Sequence, residues 1–249
     1  MCNLYSMTSN IEAIRSLVKH LDRVAVGNLP AQRSIFPDFM APIVRNTDAG
    51  RELAMVRWGM PTPNFVLFQK AKKRAETLAK KHGQAMSDDE FKDLLAKEPD
   101  RGVTNVRNTE SKHWARWLEP RFRCVVPFTS FSEFNKDAGG DIWFAFDDDR
   151  PLAFFAGLWA PQWTSVRKVK EGTVTTDLFA FLTTEPNEEV GAIHPKAMPV
   201  ILRTPEEVET WMTAPWEEAR KLQRALPDGS LQIVSRGEKE DPPSMDKLL

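Results

Sequence analysis

The chain has 249 residues, of which 41% are apolar and 28% are charged, and its net charge is −1 at pH 7. This length and composition are typical of a soluble globular protein with one large or two small domains, and they exclude a strongly basic nucleic-acid binder. Two cysteines are too few for a disulfide-stabilised secreted domain, and no stretch approaches the roughly 20 apolar residues of a membrane span, so we expect a cytoplasmic protein.

The N-terminal quarter is predicted to begin with a helix and to continue in extended segments. Ser9 and Glu12 form the pattern of a capping box, and apolar residues then recur at helical spacing, so a first helix begins soon after the N-terminus. Residues 28–45 contain three prolines and short apolar pieces, which predict an extended, turn-rich crossing. Leu53 to Trp58 is predicted to be a strand.

Residues 70–100 differ from the rest of the chain because they are highly charged. Lys70 to Lys81 is a charged helical run, and a capping box from Ser87 to Glu90 begins a second helix. We interpret this pair as an insertion that lies over the surface. Its basic helix is either a solvated surface helix, which we favour, or a contact for a phosphate backbone.

The C-terminal half is predicted to be rich in strands, because its apolar runs are short and separated by turn residues. A capping box from Thr204 to Glu207 predicts a helix, and another is predicted from Trp216 to Leu226. The fold class is therefore α+β: one domain over residues 1–236, with a strand-rich, barrel-like core flanked by helices, and a mobile tail over residues 237–249. The predicted strands are Cys124–Pro127, Ile142–Phe146, Leu152–Trp159, Leu178–Thr183, Met198–Leu202 and Leu231–Ser235.

Several common functional motifs are absent from the sequence. It contains no P-loop, no glycine-rich dinucleotide motif and no Cys/His cluster at metal-ligand spacing, so we expect neither a cofactor nor a metal. The charge is uneven, however. Residues 101–123 carry six Arg/Lys and two Glu, a local excess of +4, which either lines a positive groove or is a solvated face.

Cys2 is the most distinctive candidate for chemistry. If Met1 is removed, Cys2 has an α-amine and a thiol on adjacent carbons, a pair that an internal cysteine lacks. The amine can attack an aldehyde to form a Schiff base, and the thiol can then close on the imine carbon to form a thiazolidine ring. Both groups titrate within about two pH units of neutrality, at about 8 and 8.5. N-terminal nucleophiles are known in covalent catalysis, although a cysteine at this position can also occur by chance.

Three further positions have residue types suited to the same chemistry. Glu133 stands among aromatic and hydroxyl residues just past a strand, where burial raises a carboxyl pKa towards the range for proton transfer. His194 lies between a short predicted helix and a strand, as an acid/base or as a structural residue. Asn105 can orient a substrate oxygen, and Arg107 can hold a phosphate.

Five short pieces occur in a fixed order along the chain: Cys2; Trp58-Gly59; Asn105-x-Arg107 with Glu110 close behind; Arg123-Cys124-x-x-Pro127 leading to Glu133; and His194 followed by Met198-Pro-Val-Ile-Leu202. This order resembles the SRAP family, the SOS-response-associated peptidase proteins, which process abasic sites in single-stranded DNA. The resemblance extends from Cys2 to about Leu202, and the combination is far more specific than any one piece.

The resemblance implies an activity and a role for each matching residue. Cys2 would form a thiazolidine with the ring-opened abasic sugar, which gives a covalent DNA–protein crosslink, with Schiff-base lyase and autopeptidase activity as accompaniments. Asn105 would position the N-terminal residue and the sugar, Glu133 would assist proton transfers, and His194 would assist sugar opening and crosslink reversal. Arg107 would contact the DNA backbone, and Arg116 and Lys196 are looser candidates for the same contact. Trp58 and Phe65 are candidates to support a neighbouring base, although for Trp58 we favour a core position.

The sequence departs from the family pattern at several positions. Asn3 and Leu4 replace the usual Gly-Arg after Cys2, so an arginine that grips a phosphate is missing, and Phe134 replaces the usual Trp after Glu133. We expect a monomer that binds single-stranded DNA containing abasic sites. Two alternatives remain: an amidohydrolase or peptidase with an N-terminal cysteine that acts on another substrate, and a non-catalytic single-strand-binding module.

Overall fold

Fourteen strands and six α-helices are present in the computed structural model, which describes residues 2–243. The strands are β1 (Leu4–Met7), β2 (Leu21–Val24), β3 (Gln32–Ile35), β4 (Met40–Thr47), β5 (Gly50–Trp58), β6 (Asn105–Val106), β7 (Arg123–Phe128), β8 (Ser130–Asn135), β9 (Gly140–Ala145), β10 (Ala153–Val166), β11 (Thr173–Thr184), β12 (Met198–Pro199), β13 (Ile201–Leu202) and β14 (Gln232–Arg236). The helices are α1 (Ile11–Leu17), α2 (Asn64–His82), α3 (Asp88–Ala96), α4 (Glu188–Ile193), α5 (Pro205–Thr213) and α6 (Trp216–Ala219).

Five strands close into a barrel. β4, β5, β7, β10 and β11 pair in the order β5-β4-β7-β10-β11 with antiparallel neighbours, and a parallel pairing of β11 with β5 completes the circle. At this closure Leu178 pairs with Arg57 and Phe179 with Trp58. All six residues of β7 are buried, as expected for a strand covered on both faces. The prediction of an α+β fold with a strand-rich, barrel-like core is confirmed.

A second, antiparallel sheet carries the N-terminal strand. Its order is β14-β9-β8-β1-β3, so β1 lies between β8 and β3. Tyr5 pairs with Phe131 on one side and Ile35 on the other. The sequence did not predict this strand. β1 has only four residues, too few to show a period-2 pattern.

The two sheets share an aromatic core. The Tyr5 ring packs edge-on against Trp58, Phe155 and Phe181, with ring centroids 5.2, 5.6 and 6.0 Å away. Each such pair contributes about 1 kcal/mol beyond the burial of its surface. β1 is therefore held to the barrel by side-chain packing as well as by its strand pairing, which fixes the direction of the N-terminus.

Two predicted helix ends need correction. Helix α1 is capped by Asn10, whose side chain accepts the Ala13 N–H at 2.9 Å, and not by Ser9; asparagine and serine are equally good caps, so the sequence did not distinguish them. The helix predicted from Trp216 to Leu226 is only α6, after which the backbone tightens into a 3-10 turn. The predicted caps at Ser87 and Thr204 are confirmed.

Helices α2 and α3 lie on the surface, as predicted, and that they form an insertion stays a prediction. Of their residues only Ala71 is buried, and the two helices meet through an edge-on contact of Phe68 with Phe91. Helix α2 begins at Asn64, six residues before the charged run. No α-helix formed by the described residues is long and apolar enough to cross a membrane.

The first residues of the predicted tail contact the body of the protein. The Gly237 N–H donates to the backbone carbonyl oxygen of Asp141. Asp241 is buried, and its carboxylate accepts hydrogen bonds from Ser130 and Arg150. The boundary at residue 237 and the mobility of the tail stay predictions, and residues 244–249 lie outside the described residues.

Candidate active site

Cys2 lies two residues before β1 and is buried in the protein core. Its sulfur is 3.5 Å from the carbonyl oxygen of Leu4. Burial, and after it the charge of Glu133, raise the pKa of the Cys2 thiol well above its ordinary value, while hydrogen bonding by the backbone of Leu4 and Ser132 opposes the shift. The thiol is therefore neutral at pH 7 and needs a base before it can act as a strong nucleophile.

Asn105 holds the backbone of Cys2. The Asn105 side-chain amide donates to the Cys2 carbonyl oxygen at 2.8 Å and to the Thr104 hydroxyl oxygen at 2.9 Å. The Thr104 hydroxyl in turn donates to the Asn3 side chain at 2.9 Å. Asn105 belongs to β6, which pairs with the barrel strand β11, so the amide is carried by a rigid element.

Glu133 and His194 are neighbours in the site. A carboxylate oxygen of Glu133 is 4.0 Å from Nδ1 of His194. Burial raises the pKa of Glu133 to about 7, and burial, with Lys196 adding to it, lowers the pKa of His194. The sequence placed Glu133 just past a strand, but it lies within β8. His194 ends α4, as predicted, and Asn135 donates to the carbonyl of Ile193, which ties β8 to this helix.

The four residues therefore form one constellation with separate chemical capacities. Cys2 supplies a thiol and, after loss of Met1, an amine. Glu133 titrates near neutrality and can both accept and return a proton. His194 is a neutral imidazole at pH 7, and Asn105 fixes the backbone position. The described residues contain no group of three or more His, Cys, Asp or Glu arranged to hold a metal ion.

Arg107 and Lys196 lie together near this constellation. The Arg107 guanidinium forms an ion pair with Glu185 and is 3.5 Å from the Lys196 carbonyl oxygen. The side chains of Arg107 and Lys196 reach the surface, and Lys196 follows His194 by two residues. Both positions suit a contact with a phosphate at the edge of the site, which stays a prediction.

The remaining DNA-binding candidates occupy different environments. Trp58 is fully buried, its indole N–H donates to the Thr104 carbonyl oxygen, and it stacks on Phe181, so it cannot support a DNA base and the core interpretation applies. Phe65 is 70% exposed at the start of α2. Arg116 lies over the ring of Trp117, 4.1 Å from its centroid.

Comparison with protein families identifies the chain. The family model described as SOS response associated peptidase (SRAP) matches residues 96–235, more than half of the sequence. The protein belongs to the SRAP family. The matched stretch contains Asn105, Glu133 and His194, whereas Cys2 precedes it. Membership associates the protein with the SOS response and with DNA.

Solved structures share the SRAP protein's fold. A protein from Bordetella bronchiseptica is 20% identical with a TM-score of 0.59, and the match covers 94% of this chain and 100% of that one. A protein from Bacteroides thetaiotaomicron is 20% identical with a TM-score of 0.59 and coverage of 93% and 90%. A phage-related protein from Bordetella bronchiseptica is 18% identical with a TM-score of 0.59 and coverage of 97% and 100%. No curated protein sequence matches the chain.

A pocket beside the constellation went unpredicted. It has a volume of about 240 Å³ and is lined by Asn3, Phe36 and Phe134, among others. It adjoins the site through Asn3, whose side-chain oxygen accepts hydrogen bonds from Thr104 and Asn105. Phe134 is 64% exposed. The sequence marked Phe134 only as a departure from the family pattern, and Phe36 comes near it only through the pairing of β3 with β1.

The segment that leads to Asn105 crosses the backbone of Gly59 at Gly102, and this tight crossing holds the segment in place. Gly102 has φ +81°, and a Cβ there would lie 2.7 Å from the Gly59 Cα and 2.8 Å from an Arg167 guanidinium nitrogen. We expect Gly102→Ala to lower the free energy of unfolding by about 3 kcal/mol, through backbone strain and overpacking. It should also slow any reaction that needs Asn105, three residues along. Denaturant unfolding measures the first effect.

The matched control is Gly83→Ala. Gly83 also has a positive φ, +71°, but open space surrounds its Cβ position, so only about 1 kcal/mol of backbone strain is expected. Equal losses for the two variants would contradict the proposed role of the crossing.

Proposed function

We propose that this SRAP protein captures abasic sites in single-stranded DNA by forming a thiazolidine through Cys2 once Met1 is removed. The observation that carries the proposal is the position of Cys2 two residues before β1, where the Asn105 amide donates to its carbonyl oxygen and the Glu133 carboxyl, with a pKa of about 7, lies close by. Few other chemistries need an amine, a thiol and a neutral-range acid/base at one chain terminus.

The reaction joins the sugar to two atoms of one residue. The α-amine of Cys2 attacks the aldehyde carbon of the ring-opened deoxyribose, and loss of one water gives an imine. The sulfur then adds to the imine carbon while a proton is placed on the nitrogen, which closes the five-membered ring. The net change is the loss of one water, with no oxidant or reductant.

Glu133 and His194 move the protons in this scheme. Glu133 accepts the thiol proton, so the sulfur attacks as a thiolate. The same proton neutralises the carboxylate, so the site carries one negative charge and not two. A carboxyl with a pKa near 7 can return the proton to the leaving hydroxyl or the ring nitrogen. His194, whose Nδ1 is 4.0 Å from a carboxylate oxygen of Glu133, would assist sugar opening.

The surroundings suit an unpaired strand. An abasic site has no base to unstack, so its sugar enters a pocket at lower cost than an intact nucleotide. Arg107 and Lys196 can neutralise phosphates, and the exposed ring of Phe134 offers a stacking surface to a neighbouring base. Asn3 is uncharged, so phosphate contact here relies on these other side chains.

The test is a denaturing gel with a single-stranded oligonucleotide that contains one abasic site, with intact DNA as control. We expect a heat-stable shifted band that requires the lesion, and intact-mass analysis should show active protein without Met1. A variant that retains an added N-terminal residue should form no adduct, because its amine is on another carbon.

Each alternative predicts a different result, the first in an assay of amide cleavage and the second on the gel. A peptidase would cleave an amide substrate through a thioester without DNA, and a simple binding module would form only complexes that denaturation dissolves. Absence of the heat-stable band in either case, or an adduct that forms equally with intact DNA, would contradict the proposal.

A further inference from the structure

Helix α2 has an exposed stripe that combines cations with an aromatic ring. Residues seven positions apart lie almost in line on a helix, so Phe65 is in line with Lys72 and Lys73 is in line with Lys80. The two lines are neighbours, and the four side chains lie within about 100° of the helix circumference. All four side chains are exposed. Helix α2 carries six Lys/Arg and one Glu in a chain whose net charge is −1, so its charge is concentrated locally.

Little of the surface of α2 is packed against the rest of the protein or paired with acidic residues. Ala71 is the only buried residue of α2, and the basic residue of α2 with an ion pair in the described part of the chain is Arg74, with Glu98. Lys72, Lys73 and Lys80 form no ion pair among those residues. The apolar end is open as well: Phe65 is 70% exposed beside a groove of about 450 Å³ lined with Phe68 and Leu95.

The stripe is connected to the candidate active site through its first residues. The segment just before α2 forms a two-residue bridge, in which the backbones of Met60 and Val103 exchange hydrogen bonds of 2.9 and 2.7 Å. Val103 lies two residues before Asn105. A ring nitrogen of His113 also contacts the Pro61 carbonyl oxygen at 2.9 Å, which fixes the base of the helix.

We propose that the stripe of Phe65, Lys72, Lys73 and Lys80 binds single-stranded DNA beyond the lesion and so extends the binding track of the active site along α2. The identity of the ligand rests on the proposed function. Charge complementarity supports this occupant, because a single strand presents phosphates and unpaired bases together, and it is bound by cations interleaved with aromatic rings. The stripe from Phe65 to Lys80 is about 22 Å long, room for several nucleotides.

The test measures the affinity of the full chain for oligothymidylates of 6 and 30 nucleotides without a lesion. The variant Lys72→Glu/Lys73→Glu/Lys80→Glu is compared with Lys170→Glu/Lys221→Glu/Lys239→Glu, which changes three other exposed lysines by the same net charge. We expect the stripe variant to bind the 30-mer at least tenfold more weakly than the control variant, with a salt-dependence slope lower than that of wild type by about 2. Phe65→Ala should weaken binding of the 30-mer about tenfold without changing the slope.

Several outcomes decide the proposal. Equal affinities of the two triple variants for the 30-mer, with melting temperatures showing that both are folded, would overturn it. Loss of binding to vesicles containing an anionic lipid, with DNA affinity intact, would assign the stripe to a membrane surface and also overturn it. If wild type forms no adduct with abasic DNA but the stripe variant still loses affinity for the 30-mer, the proposed function fails and the stripe proposal stands.

Discussion

Replacing Cys2 with serine is expected to abolish the heat-stable adduct with abasic single-stranded DNA, a loss of at least 100-fold in yield. The variant keeps its α-amine, so the imine still forms, but the hydroxyl cannot give a thiazolidine. Reduction with borohydride should therefore still trap a covalent complex. Quantitative denaturing gels with and without borohydride separate the contribution of the sulfur from that of the nitrogen.

The second cysteine provides the matched control. Cys124 is also fully buried, and its sulfur packs against Gly157 across the β7–β10 pairing. Cys124→Ala should cost about 1 kcal/mol of stability through a small cavity but leave the adduct yield unchanged. If Cys2→Ser retains the heat-stable adduct, or Cys124→Ala loses it while folded, the sulfur of Cys2 is not the group that closes the ring.

A comparison with Cys2→Ala guards against a purely structural effect. Serine buries a hydroxyl where the native sulfur made one weak contact with the Leu4 carbonyl oxygen, whereas alanine leaves a small apolar void. The two changes disturb the core differently, yet both remove the sulfur. Equal loss of the heat-stable adduct in both variants, with the borohydride-trapped complex retained in both, would assign the loss to chemistry.

Three strands of the barrel, β7, β10 and β11, were predictable because their composition matches their surroundings. The runs at 124–127, 153–159 and 178–183 are apolar on both faces, since each is covered by the barrel interior on one side and by other elements on the other. The length of β10 was not predictable. Pro161 and Gln162 interrupt its apolar pattern, and the strand continues to Val166 only because it pairs with β11.

The candidate site could be predicted from the sequence only in part. The residue types and order of Cys2, Asn105, Glu133 and His194 indicated the chemistry. The contacts between them depend on pairings across more than 60 residues, such as β6 with β11, which no local pattern encodes. Trp58 illustrates the limit: an aromatic residue before a glycine fits either a base platform or a core position, and although the sequence favoured the core, the packing against Tyr5 decides it.

Replacing Glu133 with glutamine is expected to lower the rate of adduct formation at pH 7.5 by about 100-fold or more, because the variant loses the group that accepts the thiol proton. In wild type the rate should rise with pH through about 7, as the Glu133 carboxylate forms, and this rise should be absent in the variant. Single-turnover gels across pH 5.5 to 8.5, a range chosen to bracket the pKa by roughly 1.5 units, provide the measurement.

The same substitution should stabilise the protein, in a manner that depends on pH. The folded-state pKa of Glu133, about 7, lies above the ordinary value of 4.5, so the folded protein holds this proton more tightly than the unfolded chain. Ionising Glu133 therefore costs stability: the cost is absent below pH 4.5, grows as the pH rises, and reaches about 3 kcal/mol above pH 7. Glutamine removes this cost, so Glu133→Gln should be more stable than wild type at pH 8 and nearly equal at pH 4.

Glu209→Gln is the control of opposite sign. A hydrogen bond from Arg51 lowers the pKa of Glu209, so its ionised form contributes stability that is present above its ordinary pKa of 4.5 and is lost as the pH falls. This variant should lose stability at pH 8 and keep the wild-type rate of adduct formation. If Glu133→Gln behaves like Glu209→Gln in unfolding experiments at pH 8, Glu133 is a structural ion-pair partner and not a carboxyl held near neutrality for proton transfer. A gain in stability together with a loss of rate is the result that a buried catalytic acid/base requires.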